Sequence, residues 1–199
     1  MTRILMLLAG LMLVAGCATN DLDEPPLPLG DFRLGHNIVV ASKMQQVPGS
    51  RDATQEQWVE TLTAAVNDRF GRYEGGGLYH FGISVEGFML APPGVPLLVT
   101  PKSALIIRLT VWDDEKAIKL NEKAQQLTIL EATGKDSVII GSGWARDADQ
   151  QMAALSYQAV KEIEIWLGRQ MQAYGWFTPD EAVRPADAED EEQITELPG

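Results

Sequence analysis

The spacing of apolar residues between positions 32 and 174 switches several times between the period of a strand and that of a helix. This pattern limits the possible folds more than any other feature of the sequence. Apolar residues recur at every second position over 32–40, 79–89 and 105–129, which is the period of strands with one buried face. They recur at helical spacing over 58–70 and 152–174. The sequence therefore predicts a strand, a helix, a run of strands and a second helix.

This order of elements predicts an α+β protein, a two-layer sandwich. Strands that are joined by short turns pair antiparallel, and polar residues at their alternate positions leave one sheet face in water. We expect a mainly antiparallel sheet of four to five strands, with two amphipathic helices on one face. A helix separates the first strand from the second, so we expect the first strand to run parallel to a neighbour. The predicted domain spans 32–179.

The alternation also assigns side chains to the buried face of the sheet. His36 falls among apolar neighbours in the first strand, so we expect it to be a core histidine. Thr54 precedes Gln57 by three residues, which matches a capping box at the start of the first helix. The residues expected to face inward are Phe32, Leu34, His36, Ile38 and Val40 in the first strand, and Tyr79, Phe81, Ile83, Val85 and Met89 in the second.

The N-terminus contains the three parts of a secretory signal in their usual order. Arg3 supplies a positive charge, and Ile4 to Gly16 is an unbroken run of apolar and small residues. A helix needs about 20 apolar residues to span a membrane. This run is shorter and polar residues end it abruptly, so we expect 1–16 to be a signal peptide that is removed.

Val14-Ala15-Gly16-Cys17 resembles the lipobox of bacterial lipoprotein precursors, and Cys17 is the only cysteine in the chain. The resemblance implies cleavage between Gly16 and Cys17 by signal peptidase II, followed by acylation of Cys17. Two or more acyl chains hold a protein stably at a membrane. The alternative is an ordinary signal peptide that is cut after Ala18. By the sorting rule of enterobacterial lipoproteins, Ala18 favours the outer membrane, with the inner membrane as the other location, and the domain faces the periplasm.

The net charge of −12 is concentrated at the two ends of the mature chain. Residues 18–31 have four acids and no base, and 180–199 has eight acids and one base, whereas 32–179 has sixteen acids and fourteen bases. The body lacks a basic stripe, so we expect no nucleic-acid partner and attribute membrane attachment to the lipid alone. We interpret 17–31 as a lipidated N-terminus with a solvated, proline-containing tether, and 180–199 as a disordered acidic tail.

The glycines at 141–143 resemble the start of a dinucleotide-binding turn, because they follow a predicted apolar strand at 138–140. The full motif needs a third glycine for close packing of strand and helix, and Arg146 occupies that position. We therefore interpret these glycines as a turn between a strand and a helix, and we expect no cofactor.

Catalytic and metal-binding residues form no complete pattern. A triad of Ser142, Asp147 and His80 is the one hydrolase hypothesis that the sequence offers. A zinc site needs several Cys, His or carboxylate ligands at short spacing, whereas His36 and His80 are far apart and Cys17 is expected to carry lipid. We expect no metal and no enzymatic activity.

The segment 88–99 is unusually apolar for a loop. Its alternatives are packing against the body and an exposed lip that contacts a protein or a lipid. Trp176 and Phe177, just beyond the last helix, are the aromatic pair that we expect to face a partner. The candidate partner surface therefore consists of Phe88, Met89, Leu90, Val95, Leu97, Leu98, Trp176 and Phe177.

The mature chain is loosely similar to small periplasmic auxiliary lipoproteins of envelope transport and assembly machines. That resemblance implies a membrane-anchored, non-enzymatic interaction or accessory module with an envelope protein as its partner. A carrier that holds an apolar ligand between sheet and helices is the alternative, and a hydrolase that uses Ser142 is a third hypothesis.

Overall fold

The computed structural model describes residues 21–92, 102–131 and 147–179. After a short 3-10 helix at Asp21–Asp23, the elements are β1 (Phe32–Val40), β2 (Gln45–Gln46), α1 (Gln55–Phe70), β3 (Gly77–Met89), β4 (Ala104–Asp113), β5 (Ile118–Lys119), β6 (Gln125–Leu130) and α2 (Ala148–Tyr174). In this part of the chain, no helix has both the length and the apolarity needed to cross a membrane. The predicted strand at 138–140 lies outside the described residues.

The strands form one open, mixed sheet, which contains both parallel and antiparallel pairs. β1 and β2 pair in parallel with β3, while β3 pairs antiparallel with β4, which in turn pairs antiparallel with β5 and β6. The α+β class and the parallel orientation of β1 are confirmed. The sheet has six strands rather than four or five, because two short strands of two residues each, β2 and β5, extend it.

Both helices begin at a capping box. In α1 the hydroxyl of Thr54 accepts from the Gln57 N–H, and the Gln57 side chain accepts from the Thr54 N–H, as the sequence predicts. Asp147 and Gln150 make the same reciprocal pair at the start of α2. Gly175 ends α2 in the left-handed conformation that glycine adopts at low cost.

The core between the sheet and the helices is rich in aromatic side chains. Phe32, at the start of β1, has ring contacts with Tyr73, Tyr79, Phe81 and Phe177 at centroid distances of 5.0 to 5.7 Å. Buried residues of both helices and of β1, β3, β4 and β6 belong to this same cluster. One apolar interior therefore holds the two layers together.

In the second half of β1, the residues that simple alternation assigns to the core point outward instead. The register with β3 shifts between Leu34 and Asn37, where β1 contains one residue more than its partner strand. His36, Ile38 and Val40 therefore point outward and are exposed, and Ile38 has 60% of its surface in water. The prediction of a core histidine at His36 was wrong because the bulge reverses the faces of the strand.

A second bulge reverses the end of β3. The register with β4 shifts between Val85 and Gly87, with one extra residue on β3. Phe88 therefore points inward beside Trp58, with ring centroids 5.4 Å apart, and Met89 is only partly buried. Met89 had been predicted on the buried face, where Phe88 lies instead.

Candidate functional site at the N-terminal arm

Residues 21–31, called the N-terminal arm below, are attached to the body and do not form a free tether. The carboxylate of Asp21 pairs with the guanidinium of Arg69 in α1 and accepts from the hydroxyl of Tyr157 in α2. Lys161, one turn further along α2, places its Nζ 2.9 Å from Asp21 Oδ2. The Asp21 N–H also donates to the Tyr157 oxygen at 2.9 Å. Asp21 therefore joins the arm to both helices.

A second carboxylate lies behind Arg69, between the helices. Glu164 of α2 accepts from Arg69 Nη1 at 2.6 Å through Oε2 and from the Tyr73 hydroxyl at 2.6 Å through Oε1. Arg69 and Glu164 are only 1% and 3% exposed. A charge taken out of water is tolerated when it is paired and hydrogen-bonded. We call these six residues the helix-side cluster: Asp21, Arg69, Tyr73, Tyr157, Lys161 and Glu164.

The environment of this cluster shifts the pKa values of its members. Partial burial acts to raise the pKa of Asp21, but hydrogen bonds from Lys161, Tyr157 and Arg69 outweigh it and hold that pKa well below its usual range. The hydrogen bond with Asp21 raises the pKa of Lys161. Burial, followed by the hydrogen bond with Glu164, raises the pKa of Tyr73. The carboxylate of Asp21 is therefore ionised at neutral pH while both of its basic partners are charged.

The arm is bound at several further points. Arg72 Nη1 donates to the carbonyl oxygens of Leu22 at 2.7 Å and Glu24 at 2.9 Å. Leu29 is fully buried in the core, and Asp31 accepts from the N–H groups of Gly76 and Gly77. Within the predicted tether over 17–31, the structure thus shows attachments at Asp21, Leu29 and Asp31, while most residues of 23–28 are exposed to water. Its acidic residues are typical of a solvated segment, but two of them bind donors from distant parts of the chain.

Three of the described residues of the predicted partner surface lie in the core. Phe88, Leu90 and Phe177 are buried in the core, with 2% of their surface exposed or less, so they are not available to a partner in this fold. Phe177 turns inward because it adopts a positive φ of 62° shortly after Gly175 and packs on Phe32. Trp176 is half-buried against Trp166.

Of the remaining predicted site residues, the structure describes only Met89. Met89 is half-buried at the end of β3. The residues of the predicted surface and of the anchor that lie outside the described part of the chain are Val95, Leu97, Leu98, Gly16 and Cys17.

The residues proposed for a hydrolase have structural partners of their own. His80 Nε2 lies 2.8 Å from Asp114 Oδ1, and His80 Nδ1 accepts from the His36 N–H at 2.8 Å. Because Nδ1 is an acceptor here, the ring proton is on Nε2 and is donated to Asp114. Asp147 caps α2, and Ser142 lies outside the described residues. His80 and Asp147 are thus bound to different groups. No metal-binding group of three or more His, Cys, Asp or Glu residues occurs in the part of the chain that the structure describes.

The outer face of the sheet carries exposed apolar side chains, two of which, on β1, strand alternation had assigned to the buried face. These exposed residues come from β1, β4 and β6, and β1 is an edge strand because it pairs only with β3. A groove of about 530 Å³ lies beside the end of β1, between Val40 and Val59 of α1. The outer-face residues are Ile38, Val40, Trp112 and Leu130. Recognition of the β1 bulge would have revealed the first two.

The fold and the bound arm define a two-layer α+β domain that is fixed to its own N-terminal segment. No protein-family model and no curated protein sequence matches the chain. Among solved structures it is similar to protein XCC0632 of Xanthomonas campestris, described as family DUF330, with a TM-score of 0.45, 15% identity, and coverage of 74% of this chain and 93% of that one.

Two further solved structures show a weaker likeness. A candidate lipoprotein from Caulobacter crescentus has a TM-score of 0.36 and 13% identity over 66% of this chain and 91% of its own. A minor lipoprotein from Acinetobacter baumannii has a TM-score of 0.25 and 12% identity over 69% of this chain and 92% of its own.

Proposed function

We propose that this chain is a bacterial envelope lipoprotein, lipidated on Cys17, whose domain acts by contact with another envelope protein. The observation that carries the proposal is the position of the bound arm. Asp21 follows Cys17 by four residues and is held by both helices. A lipid on Cys17 would therefore hold the whole domain close to a membrane surface.

The use of the polar side chains supports a contact role over catalysis. The helix-side cluster joins the arm to the helices, Asp147 caps a helix, and His80 joins the start of β3 to the turn after β4. The outer sheet face, in contrast, exposes Ile38, Trp112 and Leu130. These side chains are spread along the face, since Leu130 pairs with Ala104 and Trp112 lies eight residues further along β4, so an extended partner surface would contact all three.

The filled interior supports the contact role over a carrier of an apolar ligand. The space between sheet and helices is occupied by fully buried side chains, among them Trp58, Phe70, Phe81 and Leu105. A ligand would have to displace packed groups, and close-packed interiors resist such displacement. We therefore propose the outer-membrane periplasmic surface, indicated by Ala18, as the working location of a contact module.

The lipidation test compares the native chain with the Cys17→Ser variant in bacterial cells. We expect the native chain to lose residues 1–16, to gain the mass of a diacylglycerol and an amide-linked acyl chain, and to sediment with membranes. The variant should lack the acyl mass, and an inhibitor of signal peptidase II should cause accumulation of the native precursor. A native chain that is cut after Ala18 and carries no lipid would contradict the proposal.

The contact test uses a photo-crosslinking amino acid at one exposed position at a time in the lipidated protein. We expect Ile38, Trp112 and Leu130 on the outer sheet face to give the same discrete crosslinked species. Ala64, which is exposed on α1, is the matched control and should give none of that species. Equal crosslinking from Ala64 and from the sheet positions, or crosslinking from neither, would contradict a contact role for this face.

A further inference from the structure

We propose that the contacts of Asp21 with the helix-side cluster set the orientation of the domain on the membrane. The helical layer would lie next to the bilayer and the outer sheet face would point away from it. This inference rests on the proposed lipidation of Cys17. It adds that the helical side of the domain is the side that meets the lipid surface. Its partner is a phospholipid bilayer surface.

A short length of chain separates Cys17 from Asp21, which is bonded to both helices. Asp21 lies four residues after Cys17, and four extended residues reach at most about 14 Å. Leu29 is the next deeply buried residue of the arm. If the arm were released as far as Leu29, the reach from Cys17 would grow to roughly 40 Å. The bonds at Asp21, Leu22 and Glu24 together therefore shorten the reach about threefold.

The lipid would emerge from the helical side of the domain. Every partner of the Asp21 side chain belongs to a helix: Arg69 to α1, and Tyr157 and Lys161 to α2. The outer face of the sheet is on the other side of the apolar core. A helix with its side chains is about 10 Å across, so a short linker on the helical side leaves the outer face further from the lipid.

Several strong contacts hold the arm to the helices. Asp21 receives three side-chain donors, two of them cationic, and its own N–H is also bonded. Charge-assisted hydrogen bonds are the stronger kind. Arg72 adds two bonds to backbone oxygens at Leu22 and Glu24. The arm thus has several simultaneous attachments on the helical side, which is what a fixed orientation requires.

The experiment measures energy transfer from a dye on the lipidated full-length protein to acceptor-labelled headgroups in phosphatidylethanolamine–phosphatidylglycerol vesicles. Cys17 is the only native cysteine and its sulfur would be a thioether, so one introduced cysteine gives one labelled site. The sites are Asp68→Cys, exposed on α1, and Thr128→Cys, exposed on the outer sheet face. We expect at least twofold higher transfer from position 68 than from position 128.

The variant that weakens the attachment of the arm is Asp21→Ala, and its matched control is Asp23→Ala, an exposed acid in the same 3-10 helix. Asp21→Ala should reduce the contrast between the two labelled sites, and Asp21→Ala/Arg72→Ala, which also frees Leu22 and Glu24, should reduce it to near equality. Asp23→Ala should keep the contrast. If Asp21→Ala fails to fold, an insertion of six Gly and Ser residues after Asn20 lengthens the linker without touching the cluster and should reduce the contrast in the same way.

Three outcomes would overturn the inference. Equal transfer from the two sites in the native protein excludes a fixed orientation, and an undiminished contrast in both Asp21→Ala and the insertion variant excludes control by the arm. The acyl mass and flotation with vesicles are measured first on every sample. Absence of the acyl mass overturns the proposed function together with this inference, whereas a lipidated protein without contrast overturns the inference alone.

Discussion

Two clusters of ionisable side chains lie on opposite sides of the apolar core, and they differ mainly in their access to water. The helix-side cluster encloses Arg69 and Glu164 almost completely. The sheet-side cluster, formed by His36, His80 and Asp114, is more open to water, with the Asp114 side chain 55% exposed. The same kinds of contact at similar distances should therefore contribute very differently to stability, because water weakens charge interactions at a surface.

The largest effect is expected from Arg69→Ala. This change leaves Glu164 buried beside the Tyr73 hydroxyl and removes one cation from Asp21. Breaking a buried ion pair by removing one partner costs about 3–5 kcal/mol. Arg72 Nη2 remains 3.6 Å from Glu164 Oε1, which places the expected loss at the lower end of that range. Urea unfolding of the domain should show a loss of this size in the free energy of unfolding. A loss below about 1 kcal/mol would mean that water reaches Glu164 and that the two clusters do not differ.

Asp21→Asn should have an intermediate effect. The amide keeps the size of the side chain and removes the negative charge that binds Arg69 and Lys161. Hydrogen bonds to charged groups contribute about 1.5–3 kcal/mol, and the partial exposure of Asp21 places the expected loss near the lower end. The measurement is urea unfolding at pH 7, with Asp23→Asn as the matched control, which should change the free energy of unfolding by less than about 0.5 kcal/mol.

The stabilisation by Asp21 should depend on pH with a defined sign. The folded-state pKa of Asp21 is lowered by its three donors, so the unfolded chain binds the proton more tightly than the folded one. The stabilisation is complete above the unfolded pKa of about 4 and is lost as pH falls below it. The difference in unfolding free energy between native and Asp21→Asn should therefore be constant from about pH 7 to 5 and shrink toward about pH 2.5. A difference that grows with acidification would contradict the geometry.

The comparison of the two clusters also shows where sequence reasoning succeeds. The capping box at Thr54 and Gln57 and the apolar faces of both helices depend on neighbours within a few residues, so local spacing predicts them. The parallel orientation of β1 followed from the helix that separates it from β3. Each of these predictions is confirmed, and each depends on residues or elements that are neighbours along the chain.

The helix-side cluster could not be predicted from sequence because its members are distant. Asp21 and Arg69 are 48 residues apart, and Arg69 and Glu164 are 95 apart. An acid near prolines and other acids is typical of a solvated segment, and only the packing of α1 against α2 brings the donors to it. Alternation failed at the bulges near Gly35 and Gly87 for a related reason. A bulge is one extra residue relative to a partner strand, so it is defined by the pairing and not by the strand alone.

The smallest effect is expected from His80→Ala in the sheet-side cluster. His80 bonds to the His36 N–H and to Asp114. Exposed pairs of this kind contribute about 0–1 kcal/mol, since water replaces the lost partners. We expect a loss in unfolding free energy below about 1 kcal/mol in urea unfolding at pH 7. A loss for His80→Ala as large as that for Arg69→Ala would show that burial does not separate the two clusters.

The double variant Gly35→Ala/His80→Ala sharpens this last test. The His80 ring lies against Gly35, where an added Cβ atom would clash with Nδ1 of the ring. Gly35→Ala alone therefore forces the His80 ring to move, and removal of the ring in the double variant relieves the clash. The double variant should be more stable to urea than Gly35→Ala alone, even though it lacks both hydrogen bonds of His80. If it is less stable, the His80 ring keeps its two hydrogen bonds beside Ala-substituted position 35 and those bonds contribute more than a surface pair should, so the contrast with the helix-side cluster is smaller than burial predicts.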